Sequence, residues 1–240
     1  LIRNAAKEPE IEDLQNYLNQ MGVNVTGAGT GVIRIQGTRG IKAEPVHTII
    51  PDRIVAGTYL AATAITGGNL VVTNVEYDHI GSIIYCLRRT GCKIKHYSGG
   101  VVTLEADGRL KALDLVRTSP YPGFPTDMQP QIVALLTKSE GTSVVVETVF
   151  ENRFRYTEQL QKMGADISIQ GRTAIIRGVD TLKGASVEAR DLRGGASLII
   201  AGLMAEGETI ISGVNYIDRG YERVENVLSK VGAKIRRVED

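Results

Sequence analysis

Gln129-Pro130-Gln131-Ile132-Val133-Ala134-Leu135-Leu136-Thr137-Lys138-Ser139-Glu140-Gly141-Thr142-Ser143-Val144-Val145-Val146 is the stretch whose reading decides the fold of this chain. It opens as an apolar helix from Gln129 to Ser139, breaks at Gly141, and continues as a β-branched strand from Ser143 to Val146. A polar loop through Arg153 follows, then a second helix from Tyr156 to Met163, Gly164, and the strand Asp166-Ile167-Ser168-Ile169. The same order occurs upstream: a helix from Arg53 to Thr66, Gly67-Gly68, Leu70-Val71-Val72-Thr73, a loop through His79, Ile80 to Arg89, Gly91 and Lys93-Ile94-Lys95. It occurs again downstream, from Gly195 to Ala205, Gly207, Thr209-Ile210-Ile211, a loop through Arg219, Glu222 to Val231, Gly232 and Lys234-Ile235.

The N-terminal stretch supplies the second half of such a unit, with Ile11, Leu14, Leu18 and Met21 at helical spacing before Gly22. The glycines ending the second helices, at positions 22, 91, 164 and 232, recur with a period of about 70 residues, above the roughly 20 to 50 of solenoid repeats. Each unit is therefore expected to be a small βαβαββ subdomain of an α/β chain. Thr30 to Gln36 and Arg172 to Arg177 read as the strands that complete hairpins. The turn Gly27-Ala28-Gly29-Thr30-Gly31 lacks GxGxxG spacing and leads into a strand, which argues against a dinucleotide site. A missing half unit, together with leucine at position 1, predicts a truncated or processed polypeptide.

With 240 residues and 42% hydrophobic content, the chain has the composition of a globular protein with one large or two small cores. Its 28 lysines and arginines nearly balance 27 aspartates and glutamates, so no global field would draw it to nucleic acid or an anionic membrane. Any anion must be held locally. No apolar run approaches the roughly 20 residues of a membrane span, and Leu1-Ile2-Arg3-Asn4 does not begin a signal peptide, so a cytoplasmic chain is expected. Cys86 and Cys92 have neither a histidine partner nor a second CxxC, which predicts reduced packing residues and not a metal or redox site.

One carboxylate stands out just before the deciding stretch. In Tyr121-Pro122-Gly123-Phe124-Pro125-Thr126-Asp127-Met128, the prolines and the glycine constrain the backbone that carries Asp127. Two roles are open to it: a preorganised general base, or the N-cap of the next helix. Acids begin the other repeats too, Asp52 in Pro51-Asp52-Arg53 and Asp191 in Asp191-Leu192-Arg193-Gly194-Gly195, while the loops after the short strands carry His79, Arg153 and Arg219. If the repeats pack around a pseudo-threefold axis, Asp127, Asp191, Arg193 and Arg219 share one rim. Guanidinium forks and a helix start such as Gly194-Gly195-Ala196-Ser197 would suit a doubly anionic substrate there. The competing arrangement has Asp191 capping its helix and pairing with Arg193, and Arg219 pairing with Glu222 at the surface.

Read in order, Ile50-Pro51-Asp52-Arg53, Phe124-Pro125-Thr126-Asp127-Met128-Gln129, Glu147-Thr148-Val149-Phe150-Glu151-Asn152-Arg153, Asp191-Leu192-Arg193 and Ile217-Asp218-Arg219-Gly220-Tyr221-Glu222-Arg223 closely resemble the UDP-N-acetylglucosamine enolpyruvyl transferase family. Asn4-Ala5-Ala6-Lys7-Glu8-Pro9-Glu10 is also similar to it, and the resemblance covers essentially the whole chain. It implies two inside-out α/β domains, each of three βαβαββ units, with the active site in the cleft between them. Residues 1–50 would then be the C-terminal remainder of the first domain and residues 51–240 the second. The implied reaction moves enolpyruvyl from phosphoenolpyruvate to the 3-hydroxyl of UDP-N-acetylglucosamine and releases phosphate, the first committed step of bacterial peptidoglycan synthesis, with no cofactor and no metal.

Carried over by motif, the resemblance makes Asp127 the base that takes the sugar hydroxyl proton and a hydrogen-bond partner of the amino sugar. Val149 would touch that sugar through its backbone. Arg193 and Arg219 would grip phosphoenolpyruvate, Arg219 arriving as the cleft closes, and Asp191 would stabilise positive charge developing at the reacting carbon. Arg153 would support closure. The family's mobile cysteine loop, an N-terminal lysine and asparagine, and a further arginine all precede the point corresponding to Leu1, and neither Cys86 nor Cys92 stands in a matching motif. The isolated chain is therefore expected to be inactive, one wall of a two-walled site whose partner is the N-terminal portion. Two other readings compete: the related transferase acting on shikimate phosphate with the same donor, and a non-catalytic sugar-nucleotide-binding or scaffold fragment.

Overall fold

A computed structural model describes residues 1–41, 45–107 and 109–238. The N-terminal half unit forms β1 (Ile2–Arg3), α1 (Pro9–Gln20), β2 (Asn24–Thr26) and β3 (Val32–Gln36), an antiparallel sheet of order β1-β3-β2. The first repeat contains α2 (Arg53–Thr66), β4 (Asn69–Val72), α3 (Gly81–Arg89), β5 (Lys93–Tyr97) and β6 (Val101–Glu105), with sheet order β4-β6-β5. The second is a complete βαβαββ unit of β7 (Val116–Arg117), α4 (Gln129–Leu136), β8 (Thr142–Val146), α5 (Thr157–Lys162), β9 (Asp166–Gln170) and β10 (Thr173–Arg177). Its sheet runs β7-β8-β10-β9, with β7 parallel to β8 and the other pairs antiparallel. In the third, β11 (Ser186–Glu188) lies parallel to β12 (Ile210–Ser212) around α6 (Leu192–Gly202), followed by α7 (Val214–Asp218) and α8 (Val224–Lys230).

The first helices of the three repeats, α2, α4 and α6, pack on one another at the centre, and the sheets lie outside them. This is the inside-out α/β arrangement that the family resemblance implied, built from the repeated units read in the sequence. Every residue of α4 is buried, including the polar Gln129 and Gln131, so its run Ile132–Leu136 is apolar throughout because the helix has no solvent face. Burying each of Ile132, Leu135 and Leu136, all 0% exposed, contributes about 1.5–3 kcal/mol. The sheets face inward with alternate residues, as Ala174 and Ile176 of β10 show at 0% exposure. Close helix approach relies on missing side chains: a Cβ on Gly57 of α2 would lie 2.9 Å from Met128 Sδ, next to Asp127.

Three expectations change in the third repeat. Helix α6 starts at Leu192, three residues before Gly195, because Asp191 caps it, and Gly194 and Gly195 sit inside the helix where Tyr156, Ile217 and Ala189 press against it. Tertiary contact thus outweighs the poor helix propensity of glycine. The loop through Arg219 contains the short helix α7, and Lys234-Ile235 forms no strand, having no neighbouring ladder among the described residues to satisfy its backbone groups. Cys86 and Cys92 are free and buried, and burial pushes the Cys86 thiol up to about 11 against the pull of Arg89, as expected of packing residues.

Candidate active site

The acids that open the three repeats do not behave alike. Asp52 Oδ1 accepts from the N–H groups of Ile54 and Val55 at 2.8 and 3.0 Å, and Asp191 Oδ1 accepts from those of Arg193 and Gly194 at 3.1 and 2.8 Å. Each carboxylate bonds the second and third amides after itself. At Asp127 the third residue on is Pro130, which has no N–H, and Thr126–Met128 tightens into a 3-10 turn whose Met128 N–H goes to the Pro125 carbonyl. Asp127 therefore does not cap α4. Its carboxylate is free to face outward, 39% exposed.

Two guanidiniums take it instead. Arg153 Nη2 donates to Asp127 Oδ1 and Arg193 Nη2 donates to Oδ2, both at 2.9 Å. Arg153 is placed by Asn152, which adopts a left-handed conformation at φ 54 just before the 3-10 turn Arg153–Tyr156. Arg153 also lies over the Phe150 ring, its Cζ 5.1 Å from the centroid. Arg193 comes from the first turn of α6 and is the more buried of the two, 14% exposed against 20%. Burial disfavours its charge, but Tyr221 and Asp127 outweigh that effect and hold it above the usual arginine range.

Arg193 is gripped from behind as well. Its Nη1 donates to Tyr221 Oη at 3.3 Å, Thr58 Oγ1 lies 2.8 Å from the same oxygen, and Gln131 Nε2 donates to Thr58 Oγ1 at 3.1 Å and to Tyr221 Oη at 3.3 Å. Thr58, Gln131 and Arg193 belong to α2, α4 and α6, so one phenol ties all three central helices beneath the rim. Nothing in their spacing marked Tyr221, Thr58 or Gln131 as site residues; the traces were the two polar residues Gln129 and Gln131 at the head of an apolar run, and the place of Tyr221 within the motif after Arg219. Replacing Tyr221 by Phe leaves Thr58, Gln131 and Arg193 short of a partner and is expected to cost about 1–3 kcal/mol, read as a lowered denaturant midpoint. An unchanged midpoint would contradict this network.

Tyr156 adds a second buried tie: its hydroxyl donates to Gln129 Oε1 at 2.8 Å, and burial holds its pKa well above 10, so it stays a neutral donor.

Of the remaining sequence candidates, Val149 is 41% exposed and its N–H donates to Glu147 Oε1 at 2.8 Å, while its carbonyl accepts no hydrogen bond among the described residues. Asp191 is engaged as the cap of α6, as the competing arrangement held, but Arg193 pairs with Asp127 and not with it. Arg219 is exposed at the end of α7 and makes no ion pair among the described residues, neither with Glu222 nor with the cluster. Gly220, its neighbour, packs against Leu192, so Arg219 is carried beside the start of α6 with its head group unengaged. The structure thus brings Asp127, Arg153 and Arg193 together, keeps Asp191 at the adjoining helix start, and leaves Arg219 outstretched. Among the described residues no group of three or more His, Cys, Asp or Glu has a metal-holding arrangement, and no helix is long and apolar enough to cross a membrane.

This arrangement can hold an anion on arginine next to a carboxylate able to exchange a proton. Known proteins share the chain that builds it. UDP-N-acetylglucosamine 1-carboxyvinyltransferase 2 of Caldanaerobacter subterraneus subsp. tengcongensis is 56% identical over 238 residues, 99% of this chain and 57% of that protein. UDP-N-acetylglucosamine 1-carboxyvinyltransferase of Halothermothrix orenii is 52% identical over 99% of this chain and 56% of its own length. The chain thus spans a little over half the length of these curated relatives. Among solved structures, the enolpyruvyl transferase NikO from Streptomyces tendae superposes with a TM-score of 0.86 at 24% identity, covering 98% of this chain and 55% of that one, a likeness of fold. Since the EPSP synthase (3-phosphoshikimate 1-carboxyvinyltransferase) family matches residues 1–228, nearly the entire repeat array with Asp127, Arg153, Arg193 and Arg219 inside it, the chain belongs to that family.

Proposed function

We propose that this chain forms one wall of an enolpyruvyl-transfer site that joins phosphoenolpyruvate to the 3-hydroxyl of UDP-N-acetylglucosamine with release of phosphate, within peptidoglycan synthesis. The observation that carries this reading is the outward-facing Asp127 carboxylate held between Arg153 and Arg193, on a chain 56% identical to an enzyme named for that reaction. Both carboxylate oxygens accept guanidinium hydrogen bonds in the structure. The carboxylate and phosphate of phosphoenolpyruvate would compete with Asp127 for Arg193, and drawing that fork away vacates Oδ2 to accept the hydroxyl proton. Asp191, fixed at the start of α6, would then face the carbon on which positive charge develops as the enol is protonated. Val149 would meet the amino sugar through its carbonyl.

Residues 1–50 are read as the remainder of a first inside-out domain and residues 51–240 as the second, with an N-terminal portion as the other wall. A cytoplasmic setting goes with this reading, and cell shape and division lie downstream of it. The test is phosphate release from the two substrates by this chain alone and mixed with the preceding portion of a curated relative. Release only on mixing is the expected result. Release with shikimate 3-phosphate and none with the sugar nucleotide would replace the acceptor, and silence with every acceptor from a folded mixture would leave a binding or scaffold role.

Arg219 supplies a separate check. Without an ion pair among the described residues, it would close on phosphoenolpyruvate only when substrate is bound. Arg219→Ala is expected to raise the KM for phosphoenolpyruvate by about tenfold or more, in line with loss of a charge-assisted contact of about 1.5–3 kcal/mol. An unchanged dependence on phosphoenolpyruvate would remove Arg219 from the site.

A further inference from the structure

Glu147 follows β8 directly and is 1% exposed, yet no cation lies within ion-pairing distance of it among the described residues. Its backbone N–H is fixed to the Arg172 carbonyl at 2.9 Å. Its carboxylate meets donors only. Oε1 accepts from Thr118 Oγ1 at 2.9 Å, from the Val149 N–H at 2.8 Å and from the Phe150 N–H at 3.1 Å, while Oε2 accepts from Thr126 Oγ1 at 2.9 Å. Thr118 is itself doubly tied to the same turn, its Oγ1 accepting from the Thr148 N–H at 2.8 Å and its carbonyl from Thr148 Oγ1 at 2.5 Å.

These donors come from separate segments: the end of β7, the 3-10 turn that carries Asp127, and the turn at Val149. The connections close a ring. Thr126 is bonded through the chain to Asp127, Asp127 is paired with Arg153, and Arg153 leads back along the loop to Val149 and Glu147. A buried carboxyl group whose two oxygens accept four hydrogen bonds, with no ion-pair partner among the described residues, is spent on holding those segments.

We infer that Glu147 is a positioning residue whose carboxylate braces the Val149 turn and the Asp127 loop in one register. The inference rests on the enolpyruvyl-transfer reading for its consequence: the brace sets the spacing between the group that would take the proton and the turn that would hold the sugar. Such spacing matters because a displacement of about 1 Å can cost about a hundredfold in rate.

Amide hydrogen exchange of this chain tests the brace without turnover. The Val149 and Phe150 amides sit on half-exposed residues and are held by Glu147 alone, while the Ser119 amide, bonded to the Phe124 carbonyl, and the Met128 amide report on the Asp127 loop. Glu147→Ala is expected to speed exchange by more than tenfold at both sets. Thr126→Val, which cuts only the Oε2 link, should speed Ser119 and Met128 and leave Val149 and Phe150 slow. Glu147→Gln can keep the three Oε1 donors and turn its amide nitrogen to Thr126 Oγ1, so it should stay near the parent at both sets. Faster exchange confined to Val149 and Phe150 in Glu147→Ala, with Thr126→Val identical to the parent, overturns the brace.

In the reconstituted enzyme, Thr126→Val should lower kcat about tenfold with the KM for the sugar nucleotide within twofold, and Glu147→Ala should move both. A purely structural role would reduce the active fraction of Glu147→Ala and leave its KM for the sugar nucleotide unchanged, so the KM of that variant is the readout that decides. Absence of phosphate release by the parent mixture would count against the proposed function alone, since exchange decides the brace.

Discussion

Replacing Asp127 by alanine is expected to lower phosphate release roughly 100- to 10,000-fold in the reconstituted enzyme, the range a positioned general base contributes. Two effects combine. The proton acceptor is lost, and Arg153 and Arg193 lose the carboxylate that holds each at 2.9 Å. Affinity for the sugar nucleotide should survive in part, because the Val149 turn is held by Glu147 and not by Asp127. Asp127→Asn separates the two effects: it keeps an oxygen for one guanidinium but cannot take the proton, so it should be nearly as slow as Asp127→Ala while binding nucleotide better. Turnover within tenfold of the parent for either variant would sink the assignment.

Arg193→Leu is expected to lower kcat/KM for phosphoenolpyruvate by about 100- to 1,000-fold, the scale on which removal of one preorganised charge-stabilising donor acts. This arginine bonds Asp127 and Tyr221 in the structure, would exchange Asp127 for the incoming anion under the proposed reading, and is positioned by α6 itself. Arg193→Lys should recover little. A single ammonium cannot reach Asp127 Oδ2 and Tyr221 Oη as two arms of a fork do, and it presents a point charge where a planar pair of donors is needed. A lysine variant with parent kcat/KM would mean that charge alone matters there and that the fork geometry does not.

Much of the fold was written in local pattern. The apolar run of α4 and the β-branched run of β8 declared their elements because helix and strand periods differ and because glycine stops one before the other begins. Helix α2 runs over the residues its pattern marked, Arg53–Thr66, ended by Gly67 in the left-handed conformation that glycine adopts without strain. The start of α6 was misplaced because Gly194 and Gly195 look like a helix boundary, whereas packing against Tyr156 and Ile217 requires small residues inside the helix. Helix α7 escaped notice because five residues are too short to show a period.

The site divides in the same way. That Asp127 escapes the capping role of Asp52 and Asp191 was legible in principle, since Pro130 removes the amide that the other two acids bond at the same offset. The motif residues Asp127, Arg153 and Arg193 were all identified as candidates from sequence. Which of them meet was not: Asp127 and Arg193 are 66 residues apart, and Tyr221 and Thr58 are 163 apart. By itself the sequence determined the repeat, the elements within each unit and the residues with chemistry to offer, because those follow from local periodicity and from what each side chain can donate or accept. Only the tertiary structure decided that Arg193 turns to Asp127 and not to Asp191, that Arg219 has no ion-pair partner among the described residues, and that Glu147 ties two loops, because those pairings depend on three helices converging and on which buried polar groups find partners there.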